Sequence, residues 1–194
     1  MRIVAGRFRG RALAAVGKGD PAAHLRPTSD RTRESLFNML AGGRFDDPVT
    51  DAHVLDLFAG TGALGLEALS RGAAQATFVD DGVKALSLIR QNIALCGAEG
   101  ETRIVKRDAR RLPPHDGAAH DLVFLDPPYG KGLGEVALAQ ALRGGWIAPG
   151  ALIVWEESAP ISAPEGVELL ESRRYGDTVI SLLRARADLA AEAG

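Results

Sequence analysis

A chain of 194 residues with 46% hydrophobic residues and a formal net charge of −2 is long enough for one domain with its own core. Its single cysteine excludes an intramolecular disulfide and a cysteine-based zinc site. Because no run of 18 apolar residues occurs, the sequence predicts no membrane span, no membrane partner and a cytoplasmic protein.

Basic residues are concentrated at the start of the chain. Residues 1–33 contain eight arginines and lysines against two aspartates, so 8 − 2 = +6, which leaves −8 for the remainder. A basic segment on an acidic body indicates a polyanionic partner, and a merely solvated arginine-rich segment is the alternative.

The stretch GRFRGR places Arg7, Arg9 and Arg11 two residues apart. If this stretch is extended, the three side chains share one face at about 6.6 Å intervals, which suits the phosphates of a nucleic acid. A charged edge strand that resists aggregation is the alternative. With Arg26, these arginines form the predicted RNA-binding set.

The next stretch, LRPTSDRTRESLFNML, predicts a helix. Pro27 disfavours a helical conformation for the residue before it, Thr28 can cap the helix, and Asp30 lies in the first turn. The predicted buried stripe consists of Leu36, Phe37 and Leu40.

From residue 53 onward, strand-like runs alternate with helical patterns, which predicts a parallel sheet with helices on both faces. The predicted strands are 54–58, 76–80, 103–108, 121–126 and 151–158, and the predicted helices are 62–71, 83–96 and 134–143. Two further strands, 167–175 and 177–185, are joined through the hairpin signal Gly176-Asp177.

This order predicts an α/β fold of the class I methyltransferase type: a Rossmann-like, seven-stranded, mostly parallel sheet that ends in an antiparallel hairpin. The predicted division is a small basic N-terminal hairpin and helix over 1–50 on the RNA side, a methyltransferase domain over 51–185, and a frayed tail over 186–194.

The stretch DLFAGTGALGLEAL contains Gly60-x-Gly62-x-x-Gly65, the spacing of a dinucleotide-binding loop. Asp56, at the end of the preceding strand, argues against that ligand, because a diphosphate would face a carboxylate in a partly desolvated crevice. S-adenosylmethionine carries an ammonium and a cationic sulfur, so the same acid favours it.

Three further positions complete the predicted cofactor site. Asp80 ends the second strand and can accept from ribose hydroxyls. Asp108 can accept from the adenine amino group beside the backbone of Ala109, and a helix N-cap before Arg110 is the alternative for this aspartate. The predicted cofactor-binding set is Asp56, Phe58, Gly60, Gly62, Asp80, Asp108, Ala109 and Thr28.

The sequence Asp126-Pro127-Pro128-Tyr129 follows the strand 121–126 and carries the predicted chemistry. The Asp126 carboxylate and the Pro127 carbonyl can accept both hydrogens of an exocyclic NH₂, and this contact aims the nitrogen lone pair at the donor methyl group. Asp126 also stabilises the developing positive charge, and Tyr129 stacks on a flipped or unpaired base. A plain Pro-Pro turn is the alternative.

Other chemistry is disfavoured. Cys96 lies on the inward face of the helix 83–96, so we predict a core residue rather than the nucleophile of a cytosine C5 methyltransferase. The four histidines, His24, His53, His115 and His120, are scattered along the sequence, and we expect no metal.

Together these stretches resemble the RsmD family of methyltransferases, over about residues 1–184. The stretches MRIVAGRFRGR and LRPTSDRTRESLFNML are its most specific part, and VLDLFAGTGALGLEALSRGA and DLVFLDPPY also match. The resemblance implies methylation of guanine N2 in 16S ribosomal RNA within a partly assembled 30S particle, with S-adenosylmethionine as donor and S-adenosylhomocysteine as product. One departure is Gly82-Val83, where relatives carry an acidic and then a basic residue.

The choice of guanine depends on this resemblance alone, because DPPY can hold any exocyclic amine. An adenine-N6 nucleic-acid methyltransferase, a protein glutamine amide methyltransferase and a non-catalytic RNA-binding scaffold remain alternatives. We expect a monomer.

Overall fold

The computed structural model describes residues 1–15 and 29–187. Within these ranges seven strands form one sheet in the order β3-β2-β1-β4-β5-β7-β6. The strands are β1 His53–Leu57, β2 Gln75–Asp80, β3 Thr102–Lys106, β4 His120–Leu125, β5 Ile147–Glu157, β6 Val167–Tyr175 and β7 Thr178–Ala185. The helices are α1 Asp30–Leu40, α2 Ala63–Ser70, α3 Val83–Cys96 and α4 Leu133–Arg143.

The first five strands pair in parallel, and β7 pairs antiparallel with both β5 and β6, which confirms the predicted fold class. Strand β1 is buried from Val54 to Leu57 because helices cover both faces of the sheet. Helices α1, α2 and α3 pack on one face, where the rings of Phe37 and Phe124 lie 5.7 Å apart, and α4 packs on the other. None of the helices in the described ranges is long and apolar enough to cross a membrane.

Helix α1 begins one residue later than predicted. The side chain of Ser29 caps it by accepting from the backbone N–H of Thr32 at 3.1 Å. Thr28 itself lies outside the described residues, as do Arg26 and most of the tail predicted over 186–194. The buried stripe of Leu36, Phe37 and Leu40 is confirmed.

The prediction that Arg7, Arg9 and Arg11 lie on one extended face is wrong. Residues 5–10 form turns inside a narrow hairpin that is closed by a bridge between Arg2 and Ala12. The chain reverses there because Gly6 and Gly10 adopt φ values of +78° and +82°, which side-chain-bearing residues rarely adopt.

A buried carboxylate attaches this N-terminal hairpin to α2. Glu67 is fully buried and accepts from the backbone N–H groups of Val4 at 2.8 Å and Ala5 at 3.0 Å. Its oxygens also accept from Arg71 Nε at 2.8 Å and from Nε of the fully buried Arg33 at 3.4 Å. The hairpin is therefore held by charge-assisted hydrogen bonds in a dry environment, where such bonds are strong.

We expect Glu67→Ala to lower the free energy of unfolding by about 3–5 kcal/mol, because the buried guanidinium of Arg33 loses a counter-ion. Urea denaturation measures the loss. Glu34→Ala is the matched control, since Glu34 is exposed on α1 and its removal is expected to change stability little. Equal stability of the two variants would contradict the role given to Glu67.

Candidate functional site

The glycine loop and the DPPY segment lie side by side because β1 and β4 are neighbours in the sheet. The chain turns in opposite directions from this pair, toward β2 on one side and β5 on the other, and such a switch point opens a crevice at the carboxyl ends of the strands. The backbone N–H of Asp126 donates to the carbonyl of Leu57 at 3.4 Å, which links the two segments directly.

Left-handed backbone shapes the glycine loop. Phe58, Gly60 and Gly62 have φ values of +59°, +58° and +76°. For Phe58 this conformation is strained, and such strain concentrates at ligand sites. Gly65 has a different role: a Cβ there would lie 2.5 Å from a ring carbon of Phe78 and 3.2 Å from Asp56 Oδ2. The third glycine thus allows α2 to pack closely on the sheet.

Asp56 is held beneath the loop rather than exposed in the crevice. Its side chain is 1% exposed, and Oδ2 accepts from the backbone N–H of Gly65 at 3.0 Å. Burial raises the pKa of Asp56 to about 8, and the nearby charge of Asp80 adds to the effect. From the sequence alone, Asp56 is expected to be an ionised acid. The structure corrects this expectation, because the carboxyl binds a proton at neutral pH unless a cation lies beside it.

Asp80 supports the loop with both oxygens. Oδ2 accepts from the backbone N–H of Gly60 at 2.9 Å, and Oδ1 accepts from that of Gly82 at 2.8 Å. Burial raises the pKa of Asp80 above its usual value. Each oxygen keeps a second lone pair, so ribose hydroxyls can still be bound. The departure at Gly82-Val83 leaves this aspartate in place, and Val83 is 79% exposed at the start of α3.

Asp108 adopts the alternative role that the sequence offered. It caps the short 3-10 turn Ala109–Arg111 by accepting from the backbone N–H of Arg110 at 2.9 Å, and its two oxygens also accept from the Arg110 guanidinium. This hydrogen bonding lowers the pKa of Asp108. Ala109 is buried. An adenine amino group would have to share this carboxylate with Arg110.

Acidic side chains surround Asp126. Burial, and next the charge of Glu156, raises the pKa of Asp126 well above its usual value. Asp56 and Glu157 act in the same direction. A positive charge at this position would therefore be strongly stabilised, whether it belongs to a bound cation or develops during a reaction.

The sequence analysis missed the residues that anchor DPPY. The Tyr129 hydroxyl donates to Glu156 Oε1 at 2.6 Å and lies 3.2 Å from the Thr178 hydroxyl. The backbone N–H of Gly130 donates to Glu157 Oε1 at 3.1 Å. The signal was the pair of acids at the end of the predicted strand ALIVWEES, together with the antiparallel pairing that brings Thr178 to the same sheet edge.

Tyr129 stays protonated over the ordinary pH range. Burial, and then the hydrogen bond to Glu156, raises its pKa above the usual value. The phenol therefore acts as a donor that fixes the ring, while the ring face is the part available for stacking.

Two of the predicted RNA-binding arginines, Arg7 and Arg11, lie apart from this crevice. The backbone N–H of Arg7 donates to the carbonyl of Ser70, the last residue of α2, at 2.8 Å. The Arg7 guanidinium pairs with Glu101, and that of Arg11 donates to the carbonyl of Leu95. These contacts place the hairpin tip at the amino edge of the sheet.

The sequence analysis described the histidines as scattered, but the fold brings three of them together. His53, His115 and His120 line a cavity of about 300 Å³ at the amino edge, away from the crevice. Burial lowers the pKa of His120 to about 4. Its Nδ1–H donates to the carbonyl of Trp146 at 2.8 Å. Cys96 is buried, as predicted, and burial raises the pKa of its thiol.

The charges of the crevice fit S-adenosylmethionine. Burial raises the pKa of Asp56, Asp80 and Asp126, so the ionised form of each carboxyl requires a compensating positive charge. A cationic sulfonium and an ammonium would supply it, whereas a diphosphate would add to the repulsion. These aspartates, with the left-handed backbone of the glycine loop, are the residues that would hold the donor.

The fold and its paired loops define the class I S-adenosylmethionine-dependent methyltransferases. The family described as Conserved hypothetical protein 95 matches residues 1–184. Ribosomal RNA small subunit methyltransferase D of Escherichia coli is 40% identical over 84% of this chain and 78% of its own length. The protein of the same name from Haemophilus influenzae is 35% identical over 91% of this chain and 89% of its own length.

A solved structure of the Escherichia coli protein yhhF superposes with a TM-score of 0.80 and 37% identity, and covers 96% of this chain and 98% of that one. The chain belongs to the Conserved hypothetical protein 95 family, and the resemblance to RsmD proteins is confirmed.

We expect Asp56→Asn to flatten the pH dependence of stability. The folded pKa is raised from 3.8 to about 8, so the stability this carboxyl contributes is present below pH 4 and is lost as pH rises toward 8. Chemical denaturation between pH 4 and 9 measures the effect. Asn can still accept from Gly65, so parallel curves for the two proteins would show that Asp56 is not the titrating group.

We expect Tyr129→Phe to lower methyl transfer modestly and Tyr129→Ala to lower it much further. The Phe variant loses the hydroxyl contacts but keeps the ring face, and stacking on a base is worth about 1–3 kcal/mol. Single-turnover rates compare the two variants with the parent. Equal losses would mean that the hydroxyl, rather than the ring, is the important group.

Proposed function

We propose that this protein transfers a methyl group from S-adenosylmethionine to the exocyclic N2 amino group of a guanine in 16S ribosomal RNA. The observation that carries the proposal is the adjacency of β1 and β4, which sets the glycine loop beside Asp126. Methyl transfer requires donor and acceptor to be aligned in one crevice, and alignment accounts for a large part of such catalysis.

The bound donor would supply an electrophilic methyl group. The chain's own residues then act on the amine. The Asp126 carboxylate and the Pro127 carbonyl accept the two N–H groups, which directs the nitrogen lone pair into the crevice. When the N–C bond forms and the C–S bond breaks, the nitrogen becomes cationic, and Asp126 takes the proton that it loses. The raised pKa of Asp126 suits this role as a base.

Asp126 must lose its own proton before it can accept from the amine. Because its pKa is raised by burial and by neighbouring acids, a cation in the crevice favours the ionised form. Donor binding therefore prepares the base for the acceptor. The same coupling reaches Asp56, whose charge acts on Asp126.

Ribosomal RNA as the substrate is supported by the relatives named small subunit methyltransferases, to which this chain is 40% and 35% identical. The choice of guanine N2 follows the family resemblance. The base must be unpaired or flipped, because a stacked base does not reach a crevice at the edge of a sheet. Such a substrate assigns the reaction to the cytoplasm, during assembly of the 30S particle.

The test is transfer of tritium from labelled S-adenosylmethionine to 30S particles that lack the modification, followed by nucleoside analysis of the RNA. We expect N2-methylguanosine. Detection of N6-methyladenosine instead would show that the acceptor is adenine, and the proposed mechanism of transfer would still apply. Label in a ribosomal protein instead of RNA would overturn the substrate class.

We expect Asp126→Asn to lower the rate of transfer by about 10²–10⁴-fold, the range that a positioned acid or base supplies. Thermal stabilisation by S-adenosylhomocysteine should persist, since the donor residues are intact. Asp121→Asn is the matched control: Asp121 lies on the same strand but accepts from the backbone N–H of His53 at 3.0 Å, at the opposite sheet edge. A normal rate in the Asp126 variant would defeat the mechanism.

A further inference from the structure

A second basic segment lies on the edge strand of the sheet, separate from the N-terminal hairpin. The sequence RIVKRDARR, residues 103–111, contains five of the chain's 23 lysines and arginines and one acid. Among the strands of the described residues, β3 pairs only with β2, so it forms an edge of the sheet. We call the set Arg103, Lys106, Arg107, Arg110 and Arg111 the β3 basic track.

Most of this track is exposed and unpaired. The side chains of Arg103, Lys106, Arg107 and Arg111 are exposed, and none makes a hydrogen bond or ion pair with another of the described residues. The exception is Arg110, which pairs with Asp108 at 2.6 Å. Among the described residues these four side chains form no close ion pair, and like charges in one segment repel one another, so the arrangement favours an anionic partner.

The β3 basic track lies between the tip of the N-terminal hairpin and the turn capped by Asp108. Its first residue, Arg103, lies two residues after Glu101, which pairs with Arg7 of the hairpin tip. Its last residues, Arg110 and Arg111, belong to the turn capped by Asp108 at the carboxyl edge. The basic positions therefore extend along the sheet edge from its amino end to the carboxyl edge, where the crevice opens.

Protection of an edge strand from aggregation explains only part of this pattern. One or two charges on the strand suffice for that purpose, and Arg103 and Lys106 supply them. Arg107, Arg110 and Arg111 lie beyond the end of β3 at Lys106, where no strand edge needs protection. Binding of a polyanion along this edge of the sheet accounts for all five positions.

We propose that the β3 basic track binds the phosphate backbone of the RNA whose base enters the crevice. This inference rests on the proposed function, since it assumes an RNA substrate. Strand β3 is three strand spacings from β4, about 14 Å, so a folded RNA can contact both. Contacts of this kind position the RNA without reading its sequence.

The test compares two triple variants of equal charge change. Arg103→Ala/Arg107→Ala/Arg111→Ala removes the track, and Arg143→Ala/Arg173→Ala/Arg186→Ala removes three exposed arginines from α4, β6 and the residue after β7. Filter binding to 30S particles that lack the modification is measured over a range of salt concentrations. Steady-state methyl transfer and stabilisation by S-adenosylhomocysteine are measured on the same samples.

In the track variant we expect the slope of log affinity against log salt to fall in magnitude by about two, as three lost phosphate contacts require. KM for the particles should rise with little change in kcat, because the lost binding is uniform between ground and transition states. The control variant should keep the parent slope. Arg103→Lys/Arg107→Lys/Arg111→Lys should also keep it, since point charges suffice.

A parent slope in the track variant, or equal losses in the control, would overturn this inference while leaving methylation of the particles intact. Precipitation of the track variant with an unchanged slope in its soluble fraction would assign the charges to edge protection instead. If the parent protein itself transfers no methyl group to RNA, the proposed function is wrong. Filter binding then tests separately whether the track binds RNA.

Discussion

The hydrogen bond between the Gly65 backbone and the buried carboxyl of Asp56 connects the glycine loop to the chemistry of the crevice. It fixes the start of α2 against β1, and it holds a titratable group where no water can stabilise its charge. Asp80 repeats the arrangement one strand away, through Gly60 and Gly82. The loop is thus supported by carboxyl groups whose ionised forms are unfavourable until a cation lies beside them.

That cost extends across the crevice. Asp126, Glu156 and Glu157 lie on the acceptor side, and the charges of the two glutamates and of Asp56 raise the pKa of Asp126. Donor side and acceptor side therefore share one electrostatic environment, although they come from strands separated by more than sixty residues in sequence. The tethers from Tyr129 to Glu156 and from Gly130 to Glu157 use the same acids to hold DPPY in place.

The sequence was sufficient for features that depend on local pattern. The alternation of apolar runs predicted the strands and helices, and for α3 it predicted the observed bounds Val83–Cys96. It also identified Asp56, Asp80 and Asp126 as acids at strand ends. It was insufficient where tertiary contacts decide. Spacing suggested an extended arginine face, but Gly6 packs against Ser70 so closely that a Cβ would lie 1.8 Å from its carbonyl oxygen, and the chain turns there. The state of Asp56 likewise depends on burial, which local sequence does not specify.

The attachment of the hairpin to Glu67 has a consequence for folding during synthesis. Val4 and its acceptor are separated by 63 residues, so the hairpin leaves the ribosome well before its partner on α2. Three apolar side chains of this segment are buried in the folded protein: Ile3, Phe8 and Leu13. Until α2 emerges, they remain in contact with solvent or with chaperones that bind nascent chains. Attachment of the hairpin is thus a long-range step that cannot precede the synthesis of α2.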